Sequence, residues 1–351
     1  MDLAAADSPA ATFVPLKDEA AGLDGVIALH SAALGPGAGG CRFWDYPTAE
    51  AAQVDAARLA QGMSYKNAMA GLPFGGGKAV LRKPSGGFDR AALFRAFGRA
   101  VEDLGGRYIT AEDVGTTPFD MGCVAGQTRY VAGLPRAEGE TGGDPSPWTA
   151  RGVFISMKLA AEYQLGKPLS ACSVAIQGVG NVGAALARLL ALEGARLIVA
   201  DVHALNAART AEETLAEIVE PGAIVAAEAD IFSPCALGGV LDRSTIPQLK
   251  ARIVCGAANN QLATAQDGRA LADRGVLYAP DYVVNAGGII NVAGEYLGWD
   301  AVSTANRVER IAMRLMSVLN HADEARLPTN LAADALAQQI LADARAQEPA
   351  L

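Results

Sequence analysis

One stretch of this chain, residues 172–201, constrains its fold more than any other. Cys172–Gln177 (CSVAIQ) is a short apolar run of strand character. GVGNVG follows at once, with glycines at 178, 180 and 183. The next residues, AALARLLALEG, read as an apolar helix, and Arg196–Asp201 (RLIVAD) reads as a second strand. That strand ends in an acid, Asp201, 18 residues after Gly183. A strand, a glycine turn, a helix and a parallel strand form a βαβ unit, which belongs in a doubly wound parallel sheet.

The glycine spacing carries a specific chemistry in that setting. Gly178 permits the tight turn, Gly180 leaves room for a pyrophosphate at the helix N-terminus, and Gly183 lets helix and strand pack closely. Gly178, Val179, Gly180, Asn181, Val182 and Gly183 are therefore the expected cofactor-binding loop. Asp201 is placed to accept hydrogen bonds from adenosine ribose hydroxyls, and its carboxylate would repel a 2′-phosphate. NAD is the expected cofactor. A glycine turn that binds nothing is the competing reading.

Strand-like and helix-like segments alternate through the rest of the chain. Asp24–His30, Ala79–Leu81 and Arg107–Thr110 read as strands, and residues near 48–63 as an alanine-rich helix. Phe94, Phe97, Val101 and Leu104 form the apolar stripe of another helix. Asp230–Ser233, Arg252–Cys255 and Val276–Tyr278 are further strands. Val308, Ile311, Leu315 and Val318 mark a late amphipathic helix. Residues 133–148 (GLPRAEGETGGDPSPW), rich in Gly, Pro and charge, are the best domain boundary. A helix resumes near Thr149, with Phe154, Met157 and Ala161 on one face.

Composition excludes several classes. The chain is 51% hydrophobic and 19% charged, so it can bury sizeable cores and is not a disordered protein. Net charge is −9 and no cluster of Lys and Arg appears, so no nucleic-acid partner is expected. The five cysteines are scattered without a C-x-x-C pair, which argues against a metal site or a disulfide framework. The first 40 residues contain one Lys or Arg, Lys17, and no long apolar run occurs anywhere. A cytoplasmic protein with no membrane partner is the expectation.

A second chemical signal lies at residues 62–78, GMSYKNAMAGLPFGGGK, where Lys66, three glycines (Gly75–Gly77) and Lys78 sit among apolar neighbours. Lysines in such surroundings either snorkel to solvent or are desolvated with a depressed pKa. In the functional reading one lysine binds a substrate carboxylate and the other, near a second cation, serves as a base. The glycines would let the backbone approach a small substrate. Downstream, YITAEDVGT places Asp113 at a strand end. Two lysines and an aspartate beside a nicotinamide suit oxidation at a carbon bearing either an amine or a hydroxyl.

Taken in order, LGPGAGGCRFW, GMSYKNAMAGLPFGGGK, GRYITAEDVGTT, DPSPWTARGV, QGVGNVG, FSPCALGG, GAANNQL and YAPDYVVNAGGIINVAGE resemble the blocks of the leucine/phenylalanine/valine dehydrogenase branch of the glutamate dehydrogenase superfamily. The resemblance runs from about residue 24 to 340. It implies reversible oxidative deamination of an L-amino acid to a 2-oxo acid and ammonia. By resemblance Lys66 holds the substrate α-carboxylate, Lys78 is the base that activates water, and Asp113 exchanges protons with the amine. Thr149 would stand near the nicotinamide carboxamide, with a helix N-cap as its alternative. Asn259 and Asn285 would face the cofactor and Asn260 the substrate, with turn residues as their alternative. The DPSP segment would act as a hinge.

The same resemblance implies an α/β architecture of two domains with the site in the cleft between them. Residues 1–140, completed by a C-terminal helix at 321–351, would form an N-terminal α/β substrate and oligomerisation domain. Residues 141–320 would form the Rossmann-like, doubly wound NAD-binding domain. A homo-oligomer is expected.

Substrate choice is read from a few positions. Glutamate-specific relatives carry a lysine directly before the paired glycines, where this sequence has Ala38 before Gly39 and Gly40. A buried substrate carboxylate would lack its cation, which disfavours glutamate. Ala38, Ala111, Ile289 and Val292 would line an apolar pocket suited to leucine, valine or isoleucine, with phenylalanine as the alternative. Another NAD-linked oxidoreductase using a Lys/Asp pair and a catalytically dead NAD-binding regulator are the remote alternatives.

Overall fold

The computed structural model describes residues 11–134 and 143–347. The chain packs as two compact units. One comprises Met1–Gly143, Val292–Asp300 and Ala337–Leu351, and the other Asp144–Asn291 and Ala301–Leu336. Residues 135–142 of the expected linker, and the ends 1–10 and 348–351 of the expected first domain, lie outside the described residues. The first unit takes its C-terminal share from Ala337, where the sequence reading starts it at 321, and it also takes Val292–Asp300.

The first unit is built on a mixed sheet. Its elements are β1 (Thr12–Asp18), β2 (Leu23–Ser31), β3 (Gly37–Ala38), β4 (Cys41–Trp44), α1 (Ala49–Met69), β5 (Gly75–Arg82), α2 (Arg90–Asp103), β6 (Tyr108–Ile109) and α3 (Pro118–Ala125). The strand order is β1-β2-β5-β3-β6, with β4 also pairing β5. β2 runs antiparallel to β5, while β3 and β4 run parallel to it.

Helices cover both faces of this sheet for different sequence reasons. α1 starts at Thr48, whose side chain accepts from the Ala51 amide, an ordinary N-cap. Ala52, Ala56 and Ala60, spaced at i, i+4 and i+8, face Val26, Ala28 and Val80. A face of methyl groups lets the helix lie close on the strands. α1 continues past Gly62 to Met69 because Ser64, Tyr65, Asn67 and Ala68 are also buried. On the other face Leu93, Phe94, Phe97 and Val101 of α2 are fully buried with Ile27, Phe43, Leu81 and Tyr108. Each such side chain contributes about 1.5–3 kcal/mol. The short strands β3 and β4 give no periodic signal and escape a reading by pattern.

The second unit contains α4 (Ser146–Leu165), β7 (Ser173–Gln177), α5 (Asn181–Glu193), β8 (Arg196–Ala200), α6 (Ala204–Thr214), β9 (Glu217–Ile218), β10 (Ile231–Pro234), β11 (Ile253–Val254), α7 (Ala265–Asp273), β12 (Leu277–Tyr278), α8 (Asp281–Val284) and α10 (Ala301–Ala325). α9 (Gly287–Leu297) and α11 (Thr329–Gln347) each contribute residues to both units. The sheet order is β12-β11-β10-β7-β8-β9, and every pairing is parallel. The order reverses between β7 and β10, and ligands of doubly wound sheets bind outside the strand ends at such a switch point. The expected loop, residues 178–183, leaves β7 there. Among the described residues no helix is long and apolar enough to cross a membrane.

Candidate active site

Lys78 lies in the middle of β5 and is 5% exposed. Its Nζ is 2.9 Å from Oδ2 of Asp113. Burial pulls the Lys78 pKa below the ordinary lysine value, against the pull of Asp113, and the Arg42 guanidinium acts in the same direction as burial. For Asp113, burial pushes the pKa up, but Lys78 and then Arg42 outweigh it and hold the carboxylate below its usual range. Asp113 lies beyond the end of β6, in a turn closed by Thr116: the Asp113 amide donates to Thr116 Oγ1 at 2.8 Å. Lys66 is half-buried near the end of α1, the helix that covers β5.

Arg42 belongs to this centre, although nothing in the sequence pattern singles it out. Its Nε is 3.2 Å from the same Asp113 Oδ2, and its Nη1 is 2.9 Å from Asp55 Oδ2 on α1. Asp55 also accepts from the Tyr46 hydroxyl at 2.5 Å and from Arg58 at 2.8 Å.

The three glycines before Lys78 serve packing, which corrects their reading as a substrate approach. A Cβ on Gly75 would lie 1.9 Å from the Ser31 carbonyl oxygen, and one on Gly76 2.1 Å from Ser64 Oγ. One on Gly77 would lie 2.7 Å from the Tyr108 ring. The pair Gly39–Gly40 does similar work: a Cβ on Gly39 would lie 2.0 Å from the Gly77 oxygen, and one on Gly40 2.8 Å from Asp113 Cβ. These close approaches bring Lys78 and Asp113 together from separate segments. Ala38 pairs with Gly76 and Ile109, and the Ala111 carbonyl accepts from the Cys41 amide at 2.8 Å. The buried Tyr108 hydroxyl donates to the Gly39 carbonyl at 2.6 Å and accepts from the Ala79 amide at 3.0 Å.

In the second unit the glycine loop sorts itself by what a methyl would meet. Gly178 has φ +88°, and a Cβ there would lie 2.7 Å from Ala236 Cβ. A Cβ on Gly183 would lie 2.0 Å from the Gly178 carbonyl oxygen, so this glycine permits the helix–strand contact. A Cβ on Gly180 would meet nothing within 4 Å. Packing therefore gives no reason for glycine at 180, whereas an approaching ligand does. Gly180 is the N-cap of α5 and supplies no side-chain cap; Asn181 is exposed and Val182 half-buried. Asp201 closes the loop from the end of β8: Oδ2 accepts from the Val179 amide and Oδ1 from the His203 amide, both at 2.8 Å.

Asn285 is buried, and its Nδ2 donates to Ala257 O at 3.1 Å and to Asn259 Oδ1 at 2.8 Å. Its Oδ1 is buried without a hydrogen-bond partner among the described residues. Such an orphan costs about 1–3 kcal/mol, which a ligand N–H would relieve. The open space at Gly180 and this orphaned acceptor both fit a dinucleotide. Thr149 is not a helix N-cap: α4 is capped by Pro145, and the Thr149 hydroxyl donates back to the Pro145 carbonyl at 3.1 Å. Asn260 is exposed with φ +52°, and its carbonyl accepts from the Gly239 amide at 2.7 Å, a turn role. Ile289 and Val292 are half-buried one turn apart on α9.

Comparison with known proteins finds relatives that cover nearly the whole chain. Residues 11–130 match the profile of the Glu/Leu/Phe/Val dehydrogenase dimerisation domain, and residues 199–348 that of glutamate/leucine/phenylalanine/valine dehydrogenase. Leucine dehydrogenase of Geobacillus stearothermophilus is 47% identical over 324 residues, covering 92% of this chain and 88% of the relative. Valine dehydrogenase of Streptomyces virginiae is 45% identical, with 94% of this chain and 93% of the relative covered. The crystal structure of L-tryptophan dehydrogenase from Nostoc punctiforme superposes with a TM-score of 0.86 at 39% identity, covering 96% of this chain and 98% of that one. An enclosed lysine–aspartate pair, a glycine loop at a switch point and similarity along nearly the whole chain converge on one assignment: this chain belongs to the Glu/Leu/Phe/Val dehydrogenase family.

Proposed function

We propose that the protein catalyses the reversible oxidative deamination of an apolar L-amino acid, with leucine, valine and isoleucine as preferred substrates and NAD as cofactor. The observation that carries this reading is the buried Lys78 paired with Asp113 at 2.9 Å. An amine destabilised as an ammonium by burial can take a proton near neutral pH, and a neighbouring carboxylate can exchange it. The sequence similarity to leucine and valine dehydrogenases supports the amino-acid substrate.

The chain's own residues divide the work. Lys66 binds the substrate α-carboxylate as a fixed positive charge. Asp113 takes a proton from the substrate ammonium, leaving a free amine whose lone pair assists loss of the Cα hydride. A bound NAD, held by the second unit, would supply the acceptor for that hydride. Lys78 then removes a proton from the water that adds to the resulting iminium carbon. Asp113 returns a proton to the nitrogen, then takes the hydroxyl proton as the carbinolamine collapses to the 2-oxo acid and ammonia leaves, and Lys78 releases its proton to solvent. In the second unit Gly178, Val179, Gly180, Asn181, Val182 and Gly183 hold the pyrophosphate, Asp201 the ribose, and Asn285 with Asn259 and Thr149 the nicotinamide.

In the first unit Ala38, Ala111 and Val292, with Gly39 and Gly40, are the proposed substrate-side residues, and in the second Ile289 and Asn260. With alanine at 38, nothing there neutralises a side-chain carboxylate, so glutamate is rejected. The same small side chain leaves phenylalanine or tryptophan as the second reading, supported by the similarity to a tryptophan dehydrogenase. The protein works as a homo-oligomer, supported by the dimerisation-domain match. A cytoplasmic setting accords with its five free cysteines. The deciding measurement is kcat/KM for a panel of L-amino acids with NAD and NADP. Highest values for branched aliphatic substrates with NAD are expected. Ammonia-independent oxidation of NADH by 2-oxo acids would overturn the reaction class.

A further inference from the structure

We propose that Arg42 is a positioning residue for this reaction: with Lys78 it grips one oxygen of Asp113, and through Asp55 it ties that carboxylate to α1. The inference rests on the proposed roles of Lys78 and Asp113. It begins with where Asp113 sits. Lys78 is carried by the middle of a buried strand, but Asp113 lies in a turn after β6, fastened locally by Thr116. A half-buried carboxylate in a turn needs an external hold if its geometry is to be fixed.

Arg42 provides one from the neighbouring strand. β4 pairs in parallel with β5, and Arg42 stands beside Val80, two residues along from Lys78. Side chains two apart share a face of a sheet, so Arg42 and Lys78 project to the same side. That side is covered by α1, which supplies Asp55. The guanidinium is planar and presents several N–H donors in fixed directions. Its Nε reaches Asp113 Oδ2 at 3.2 Å while its Nη1 reaches Asp55 Oδ2 at 2.9 Å. Tyr46 and Arg58 hold Asp55 in turn. A lysine carries all its donors on one nitrogen and lacks the fixed directions of the guanidinium fork.

The arrangement also acts on the base. Asp113 favours the ammonium form of Lys78, which retards its use as a base. Arg42 places a second cation on the same carboxylate oxygen and opposes that effect. Asp113, Arg42 and Cys41 act on Lys78; Lys78 and Arg42 act on Asp113, which also couples to the buried Cys41 thiol and Tyr108 hydroxyl. Removing Arg42 therefore raises the pKa of both members of the pair and moves the pH–rate profile to higher pH.

The test compares Arg42→Gln, Arg42→Lys and Asp55→Asn in the full-length protein. kcat and kcat/KM for L-leucine with NAD are measured from pH 7 to 11, beside NADH affinity and thermal stability. Arg42→Gln should lower kcat about 10–100-fold and move the alkaline limb up by about 1 pH unit, with NADH affinity retained. Arg42→Lys should bring the limb back while kcat stays low. Asp55→Asn, nearly isosteric, should lower kcat in the same direction by a smaller factor. An Arg42→Gln profile that superimposes on wild type after scaling would overturn the proposal, as would full kcat in Asp55→Asn. Lys78→Ala separates the two levels. Near-normal kcat in that variant removes the reading beneath, whereas its inactivity together with an unmoved Arg42→Gln limb removes only the role of Arg42.

Discussion

A single methyl group, added at Gly180 in one variant and at Gly183 in another, should separate cofactor binding from folding. At Gly180 the new Cβ meets nothing within 4 Å, and φ is negative, at −69°. Alanine is a poorer N-cap than glycine, but it also reduces the freedom of the unfolded chain, so Gly180→Ala should change stability by less than about 1 kcal/mol. At Gly183 the new Cβ would lie 2.0 Å from the Gly178 carbonyl oxygen. Helix and strand must part by about 1 Å, and overpacking of this kind costs about 1–3 kcal/mol or more, a fall of several degrees in Tm. Cofactor binding should show the reverse order for the tolerated variant. The Gly180 methyl fills the space a pyrophosphate needs at the N-terminus of α5. Loss of one charge-assisted hydrogen bond there, about 1.5–3 kcal/mol, weakens NADH binding about 10–150-fold. Thermal unfolding and fluorescence titration with NADH measure the two quantities on the same samples. A Gly180→Ala protein that binds NADH like wild type would refute the reasoning, and so would one that unfolds as early as Gly183→Ala.

Four further outcomes are expected. Lys78→Ala should lower kcat about 10²–10⁴-fold with NADH affinity retained, and Lys78→Arg should not rescue it, because a guanidinium does not deprotonate near neutral pH; stopped-flow and steady-state rates check both. Since burial lowers the Lys78 pKa and the neutral amine is the active form, wild-type deamination should rise with pH along a limb below the ordinary lysine value of about 10.4. Lys66→Ala should raise KM for the amino acid more than it lowers kcat, because the carboxylate contact exists in the ground state, and equal effects on both would count against it. Asp201→Ser should narrow the ratio of kcat/KM between NAD and NADP. Because Asp201 also accepts from the Val179 and His203 amides, some loss of NAD affinity should accompany it.

The turn at Gly178 and the close contact at Gly183 were legible in the sequence because each answers a local steric question. The sign of φ at 178 and the contact at 183 depend on neighbours within one βαβ unit. Lys78 and Asp113 were legible as types, since a charged residue in an apolar run demands a reason. The role of Gly75–Gly77 was not, because their neighbours Ser31, Ser64 and Tyr108 come from three other elements. Arg42 and Asp55 were invisible for the same cause: their partnership depends on β4 lying beside β5 and α1 crossing above. Thr149 reads as a cap until Pro145 is seen to begin the helix.

The crowding beneath Lys78 has a consequence for how such an enzyme can diversify. Gly39, Gly40, Gly75, Gly76 and Gly77 each stand where a methyl would strike a neighbour closer than 3.0 Å. Nearly every substitution at these five positions is closed off by packing before activity is tested. Ala38 and Ala111 already carry side chains on this same framework, as do Ile289 and Val292 on α9. Laboratory libraries aimed at new substrates should therefore recover variants at those four positions and almost none among the glycines.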